Sequence, residues 1–242
     1  MTSLESTLAF QLGGERIFVQ PARRRRIVGN TFKGQNSFMG ANASGTYRMS
    51  FSTGGLNLLE SLMVAAEFER LRDWDAVSRE VVSSGLLQTR TQNSAKRTVL
   101  EIVLRLRTLS DQELSVLLTG ARPEQASFLW LAACRAYPFL GEFAAEFLNE
   151  RYLAYRRSVE NQDFDSFLEA KAEWHPQVAK LSDATRQKLR QVAFRMMREA
   201  DIISADGTIL AAILTPNVQA SIADEADLRF FPGFDRRRSG RV

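Results

Sequence analysis

Apolar residues recur at spacings of three and four through most of the chain after residue 55, which is the period of helices packed on a core. The clearest case follows Ser182 and Asp183, either of which can accept hydrogen bonds from the first N–H groups of a helix. Its apolar stripe consists of Leu189, Val192, Ala193, Met196 and Ala200. Comparable stripes upstream predict further buried helices, so the expected fold is mainly α, a helical bundle.

A short β-hairpin is predicted directly after this helix. Asp206-Gly207 separates the apolar pairs at 202–203 and 209–210, and Asp-Gly between short apolar runs favours a two-residue turn. We expect positive φ at Gly207, a conformation that glycine adopts without steric cost. The order helix, turn, helix, hairpin is that of a winged helix-turn-helix, whose second helix lies in the major groove of DNA.

The polar arc of the same helix is cationic. No acid occurs between residues 186 and 198, so we expect the usual pairing of acids and bases four residues apart to be unused. A charged arc is typical of any solvated helix, but an excess of one sign favours nucleic acid, and glutamines can form paired hydrogen bonds to adenine. The candidate contacts are Arg186, Gln187, Lys188, Arg190, Gln191, Arg195 and Arg198.

A second helix-turn-helix candidate lies upstream. Periodicity predicts helices near residues 56–71, 73–85 and 93–109, with a short break before the third. The amino-terminal end of that third helix carries further cations, and we expect Glu101 to share its outer face, which weakens the case for an anionic ligand. The candidate contacts here are Arg90, Lys96 and Arg97.

Composition excludes several classes of function. The 242 residues carry a net charge of +4, which is compatible with an anionic partner without requiring one. A single Cys134 and a single His175 cannot build a Cys/His zinc site, and the sequence shows no catalytic constellation and no cofactor motif. The longest apolar run, residues 128–134, is too short to span a membrane, so we expect a non-enzymatic, soluble, cytoplasmic protein without metal or cofactor.

The chain divides by composition into three parts. Residues 1–46 hold an arginine run at 23–26 and a Gly-, Asn- and Ser-rich stretch without sustained periodicity, and we expect a disordered basic extension. Residues 47–160 are predicted to form an amino-terminal helical bundle domain. Residues 161–242 are predicted to form a winged-helix-like domain that ends in a basic tail.

Five stretches, in this order, resemble the BrxA family, a group of accessory proteins of bacterial BREX (bacteriophage exclusion) loci. They are YRMSFSTGGLNLLES, LWLAACRAY, KAEWHP, LSDATRQKLRQVAFRMMREADII and FFP, and together they cover about residues 47–234. The resemblance implies a monomeric, non-enzymatic protein with a bundle similar to the antitermination factor NusB and winged-helix character. It also implies binding of double-stranded DNA. It further implies that the protein acts together with a methyltransferase, an ATPase and a phosphatase-like protein of the same locus.

Two hypotheses of function follow. The first is an accessory protein that binds duplex DNA through basic helix faces and serves phage defence, with the contact residues inferred from charge and helical phase. The alternative is a protein scaffold or RNA-binding helical module in the same defence complex, in which the winged helix is only structural.

Overall fold

A computed structural model describes residues 8–12, 15–19, 47–52, 54–87 and 91–234, and the chain divides into two compact units, Met1–Gly45 and Thr46–Val242. In the first unit β1 (Leu8–Leu12) pairs antiparallel with β2 (Glu15–Val19). Each of the two strands spans five residues within the segment for which the sequence predicts disorder. In the sequence, the corresponding hairpin signal is the apolar alternation on both sides of Gly13-Gly14. The arginine run at 23–26 lies outside the described residues.

The second unit is mainly helical, as predicted. Its described part also contains a π-helical segment, Phe143–Asn149, and a 3-10 helix, Glu225–Phe230. Its α-helices are α1 Leu58–Leu71, α2 Trp74–Ser83, α3 Gln92–Leu106, α4 Asp111–Thr119, α5 Arg122–Ala136, α6 Pro138–Glu142, α7 Glu150–Leu153, α8 Asn161–Ala172, α9 Pro176–Ala179, α10 Asp183–Glu199 and α11 Pro216–Ser221.

Side-chain caps begin several helices, among them α10, for which the sequence predicts one. The Ser110 hydroxyl accepts from the Glu113 N–H at 3.2 Å while the Glu113 carboxylate accepts from the Ser110 N–H at 2.7 Å, a capping box that begins α4. Asp73 accepts two backbone N–H bonds at the start of α2, and Ser182 accepts one at the start of α10. These caps act within one turn, so local sequence was sufficient to predict them.

The core is continuous across residue 160, where the sequence predicts a domain boundary. α5 packs against α3, α4, α6, α10 and α11 and is buried from Phe128 to Cys134. The Trp130 indole donates to the Phe230 carbonyl oxygen at 2.9 Å, and the Phe143 and Phe164 rings meet edge to face with centroids 5.3 Å apart. The two predicted domains therefore share one apolar interior within a single compact unit.

The region after α10 folds back on itself without forming regular strands. Ile203 and Ile209 form an isolated antiparallel bridge, and the Ser204 N–H donates to the Thr208 carbonyl oxygen at 2.9 Å. Three residues rather than the predicted two separate that hydrogen-bonded pair, because Asp206 folds back to accept hydrogen bonds from Ser204 and Thr208. Gly207 has φ +86°, as predicted.

Residues 157–159 pair with this fold-back, a contact that the sequence does not predict. The Ile209 N–H donates to the Arg157 carbonyl oxygen at 2.7 Å, and the Val159 N–H donates to the Gly207 carbonyl oxygen at 2.9 Å. Ser158 and Thr208 form the bridge between them. We call residues 157–159 and 202–210 together the hairpin assembly.

Gly207 should tolerate a side chain far less well than Gly85, although both have positive φ. A Cβ added at Gly207 would lie 2.6 Å from the Val159 carbonyl oxygen, whereas a Cβ at Gly85 would meet nothing within 4 Å. We expect Gly85→Ala to cost about 1 kcal/mol through backbone strain alone, and Gly207→Ala about 2–3 kcal/mol because overpacking is added to that strain. Urea unfolding of the two variants measures the difference in the free energy of unfolding. Equal losses of stability would show that the Val159 carbonyl group moves away from the added methyl group at no cost.

Candidate nucleic-acid interface

The helix with the cationic arc is held against the core by its apolar stripe. Within α10, Leu189, Val192, Ala193 and Met196 are buried as predicted, and Ala200, just beyond its end, is partly buried. α8 packs against both α9 and α10, so α10 is the last of three consecutive helices and directly precedes the hairpin assembly. The order along the chain is therefore helix, short helix, helix and fold-back.

Five of the seven predicted contact residues on α10 lie on one exposed face. At about 100° per residue they fall within roughly a third of the helix circumference. They are Gln187, Lys188, Gln191, Arg195 and Arg198. The buried stripe occupies the opposite arc, so the fold leaves these side chains accessible to a ligand.

The other two predicted contacts are partly buried and already bound within the protein. Arg186 Nε donates to the Leu181 carbonyl oxygen at 3.2 Å, and Arg190 forms an ion pair with Asp165 of α8. These two cations hold α10 to its surroundings. Periodicity alone could not reveal the pairing of Arg190, because its partner lies 25 positions away in the sequence.

Glu199 corrects the expectation that no acid pairs with this face. Its carboxylate lies 2.7 Å from Arg195 Nε, four residues earlier, and also accepts the Leu56 N–H at 2.5 Å. Arg195 nevertheless keeps 63% of its side chain exposed. Lys188 and Arg198 have no carboxylate within ion-pair distance in the described part of the chain, so they are the two unneutralised cations of the face.

An open cleft of about 480 Å³ separates α10 from the turn of the hairpin assembly. Arg198 lines it from the helix, and Glu160 and Asp206 contribute acidic groups. Hydrogen bonds from Ser204 and Thr208 lower the pKa of Asp206, so its carboxylate is charged at neutral pH. The turn is therefore locally acidic and opposes the approach of a phosphate.

The second candidate face, on α3, differs from the prediction in one respect. Lys96 and Arg97 are exposed on its first turns, and Arg90 lies outside the described residues. Glu101 does not share the outer face, because it is buried, pairs with Arg105 at 2.9 Å and accepts a hydrogen bond from the Tyr137 hydroxyl. The exposed surface of α3 is accordingly more basic than the sequence suggested.

The single histidine and the single cysteine, the residue types most often used in catalysis and metal binding, have structural roles here. The His175 ring stacks on Tyr47 with centroids 3.6 Å apart, joining the start of the second unit to α9. Cys134 is buried, and burial raises the pKa of its thiol. Among the described residues no group of three or more His, Cys, Asp or Glu side chains is arranged to hold a metal, and no helix there is long and apolar enough to cross a membrane.

These contacts define a mainly helical protein with one apolar core and a helix that exposes a basic, amide-bearing face. The BrxA family model matches residues 45–226, which is most of the chain. The chain belongs to the BrxA family, as the order of its motifs predicts.

Relatives support this assignment and a solved structure supports the fold. The chain is 25% identical over 169 residues to the BREX protein BrxA of Escherichia coli O9:H4 (strain HS), covering 69% of this chain and 79% of that protein. It is 24% identical over 124 residues to the BREX protein BrxA of Bacillus cereus (strain H3081.97), covering 51% and 62%. An uncharacterized protein from Magnetospirillum magneticum has a similar fold, with a TM-score of 0.64 at 18% identity over 77% of this chain and 96% of that one.

Proposed function

We propose that this protein binds duplex DNA through the exposed face of α10 and acts as a non-enzymatic accessory protein of a BREX phage-defence system. The observation that carries the proposal is the pair Lys188 and Arg198, two cations without carboxylate partners among the described residues, on one arc with Gln187 and Gln191. Cations supply the phosphate contacts that set affinity, and glutamine amides can contact base edges.

The proposal includes an assignment of two known architectures to parts of the fold. We interpret α8, α9 and α10 with the hairpin assembly as a winged helix-turn-helix, and the helices around α5 as a NusB-like bundle. The order of the elements supports the first interpretation, and the first helix of the trio packs on both of the others. The exposed residues Lys96 and Arg97 on α3 extend the basic surface that we assign to DNA.

The biological setting of the proposal comes from the relatives, whose names identify them as BREX proteins. We place the protein in the cytoplasm as a monomer. Its partners there would be duplex DNA and other products of the locus, a methyltransferase, an ATPase and a phosphatase-like protein.

Equilibrium binding to labelled nucleic acids tests the proposal. Fluorescence anisotropy would compare a duplex DNA, its single strand and an RNA duplex of the same sequence, each between 50 and 200 mM salt. Five exposed candidate cations predict a log–log salt slope of about −4 to −5 for duplex DNA. Tighter binding to duplex DNA with such a slope would support the proposal, and the absence of duplex binding at 50 mM salt would overturn it.

A scaffold remains the second candidate because three large apolar side chains are exposed on the bundle. Leu59 and Met63 lie one turn apart on α1 and are 53% and 41% exposed, and Leu100 on α3 is 63% exposed. Exposed apolar groups at helical spacing fit a protein partner better than a phosphate backbone. Stronger binding to RNA in the same experiment would instead favour the RNA-binding form of this alternative.

A further inference from the structure

Two arginines lie where residues 157–159 enter the hairpin assembly, in a part of the chain that the sequence assigns to the other domain. Arg156 and Arg157 are exposed, and neither has a carboxylate within ion-pair distance in the part of the chain that the structure describes. The Arg157 carbonyl oxygen accepts the Ile209 N–H at 2.7 Å, so this segment is fixed to the fold-back that follows α10. The backbone hydrogen bonds between the two segments therefore place two cations without carboxylate partners next to residues 202–210, which contain no Lys or Arg.

Tyr155 precedes these arginines and occupies a position at which glycine is usual. Its N–H donates to the Tyr152 carbonyl oxygen at 3.1 Å and the Arg156 N–H donates to the Arg151 carbonyl oxygen at 2.9 Å, the bond pattern of a Schellman motif that ends α7. Tyr155 has φ +58°, which strains a residue with a bulky side chain. The residue is 82% exposed, so burial in the core does not compensate for the strain.

Aromatic rings hold the arginine side chain in place. The Arg157 guanidinium lies 4.7 Å from the centre of the Tyr152 ring and 6.0 Å from that of Tyr155, within range of cation–π attraction. Arg151 donates to the Ser158 carbonyl oxygen at 2.7 Å and pairs with Asp163 at 2.8 Å, which fixes the backbone on the other side. The cation is thus oriented before any ligand binds.

The cleft beside α10 is lined by a residue that closely follows this segment. Val159, two residues beyond Arg157, lines the cleft together with Arg198 and Gly207. The turn that lines the cleft carries the charged Asp206, whereas Arg156 and Arg157 have no carboxylate within ion-pair distance in the described part of the chain. Charge complementarity therefore favours contact at residues 155–157 rather than at the turn itself.

We propose that Tyr155, Arg156 and Arg157 form a second contact for the sugar–phosphate backbone of the duplex, performing the role that a basic hairpin tip would otherwise have. This inference rests on the proposed function, since the duplex is the ligand that α10 is assigned. The arginines contact two phosphates, and the exposed tyrosine ring packs against the sugar edge while supporting Arg157. These contacts position the duplex on the protein and carry no base specificity.

Neutral substitution of the two arginines tests this contact. Arg156→Gln with Arg157→Gln should weaken binding to a 20-base-pair duplex by about tenfold at 100 mM salt and reduce the magnitude of the log–log salt slope by about 2. The matched control is Arg79→Gln with Arg122→Gln, which removes the same charge from α2 and from the start of α5. The control should leave the salt slope unchanged. Melting temperatures of both variants establish that they are folded.

A third variant separates the tyrosine ring from the backbone strain. Tyr155→Gly should keep or raise the melting temperature, because glycine adopts this φ without strain. It should weaken duplex binding about threefold, because Arg157 loses part of its aromatic support. Unchanged affinity in this variant would remove Tyr155 from the contact.

The outcomes distinguish this inference from the proposed function. If the wild type binds duplex DNA and substitutions on α10 weaken it, while the Arg156/Arg157 variant behaves like the Arg79/Arg122 control, the second contact is overturned and the function stands. If the Arg156/Arg157 variant loses affinity and salt slope while α10 variants do not, the second contact is supported and the role of α10 is overturned. Absence of wild-type binding to duplex DNA overturns both.

Discussion

Replacing Lys188 and Arg198 together by glutamate should weaken duplex binding by about 30-fold or more at 100 mM salt, because two phosphate contacts become two repulsions. Both side chains are exposed and have no carboxylate partner in the described part of the chain, so the substitutions break no ion pair within the fold. The melting temperature should fall only slightly, because a glutamate at residue 198 faces the acidic turn across the cleft and lies in the last turn of α10, where negative charge is unfavourable. Anisotropy titrations with a labelled duplex, beside thermal unfolding of the same preparations, measure both quantities.

Arg190→Gln provides the contrasting control on the same helix. Because Arg190 is paired with Asp165 and only 22% of its side chain is exposed, its loss should lower the free energy of unfolding by roughly 1–2 kcal/mol. The affinity of the folded fraction should hardly change. A large loss of affinity in Arg190→Gln without loss of stability would contradict the assignment of the exposed arc as the contact face.

Glu113→Gln should be among the most destabilising single substitutions in the chain, at about 3–5 kcal/mol. Glu113 is 1% exposed and accepts two hydrogen bonds from Arg135, each 2.8 Å long. Arg135 also pairs with Asp227 at 2.7 Å, which fastens the 3-10 helix near the carboxyl end to α5. Glutamine can still cap α4, so the expected loss reflects the weakened charge-assisted hydrogen bonds between residue 113 and Arg135 rather than a lost cap.

The charges of this cluster depend on one another. Burial opposes the charge of Arg135, but hydrogen bonds and attraction from Glu113, with attraction from Asp227, outweigh it and raise the pKa of the guanidinium. Burial also raises the pKa of Asp227 against the attraction of Arg135. The negative charge of Glu113 also contributes to the raised pKa of Asp227, so Asp227 stays available as a partner of Arg135 when Glu113 is neutral.

Glu124→Gln is the matched control for this prediction. Glu124 occupies the equivalent position at the start of α5, where it accepts the Ala121 N–H at 2.8 Å, and it pairs with no arginine in the described structure. Its substitution should cost less than about 1 kcal/mol. Urea unfolding of both variants gives the comparison, and a similar small cost for Glu113→Gln would show that the Arg135 cluster adds nothing beyond the cap.

Tertiary structure changed the candidate site in ways that helical phase could not anticipate. An ion pair with Asp165 neutralises Arg190, and Glu101 is buried against Arg105 and Tyr137. The fold also places Arg156 and Arg157 beside the fold-back after α10. Each change involves a partner from another element: Asp165 of α8, Tyr137 after α5, and the fold-back after α10. A helical wheel shows which residues share a face, but it contains no information about which other element covers that face.

The amino-acid sequence by itself determined what depends on neighbouring residues. The caps of Ser110 and Ser182, the apolar stripe of α10 and the positive φ of Gly207 all follow from residues within one or two turns, and the family follows from the order of its motifs. Tertiary structure alone decided which cations stay free and which are neutralised, and it joined both sides of residue 160 into one core. The physical reason is range: capping and periodicity act along a few residues, whereas ion pairing and burial depend on partners that only the folded chain brings together.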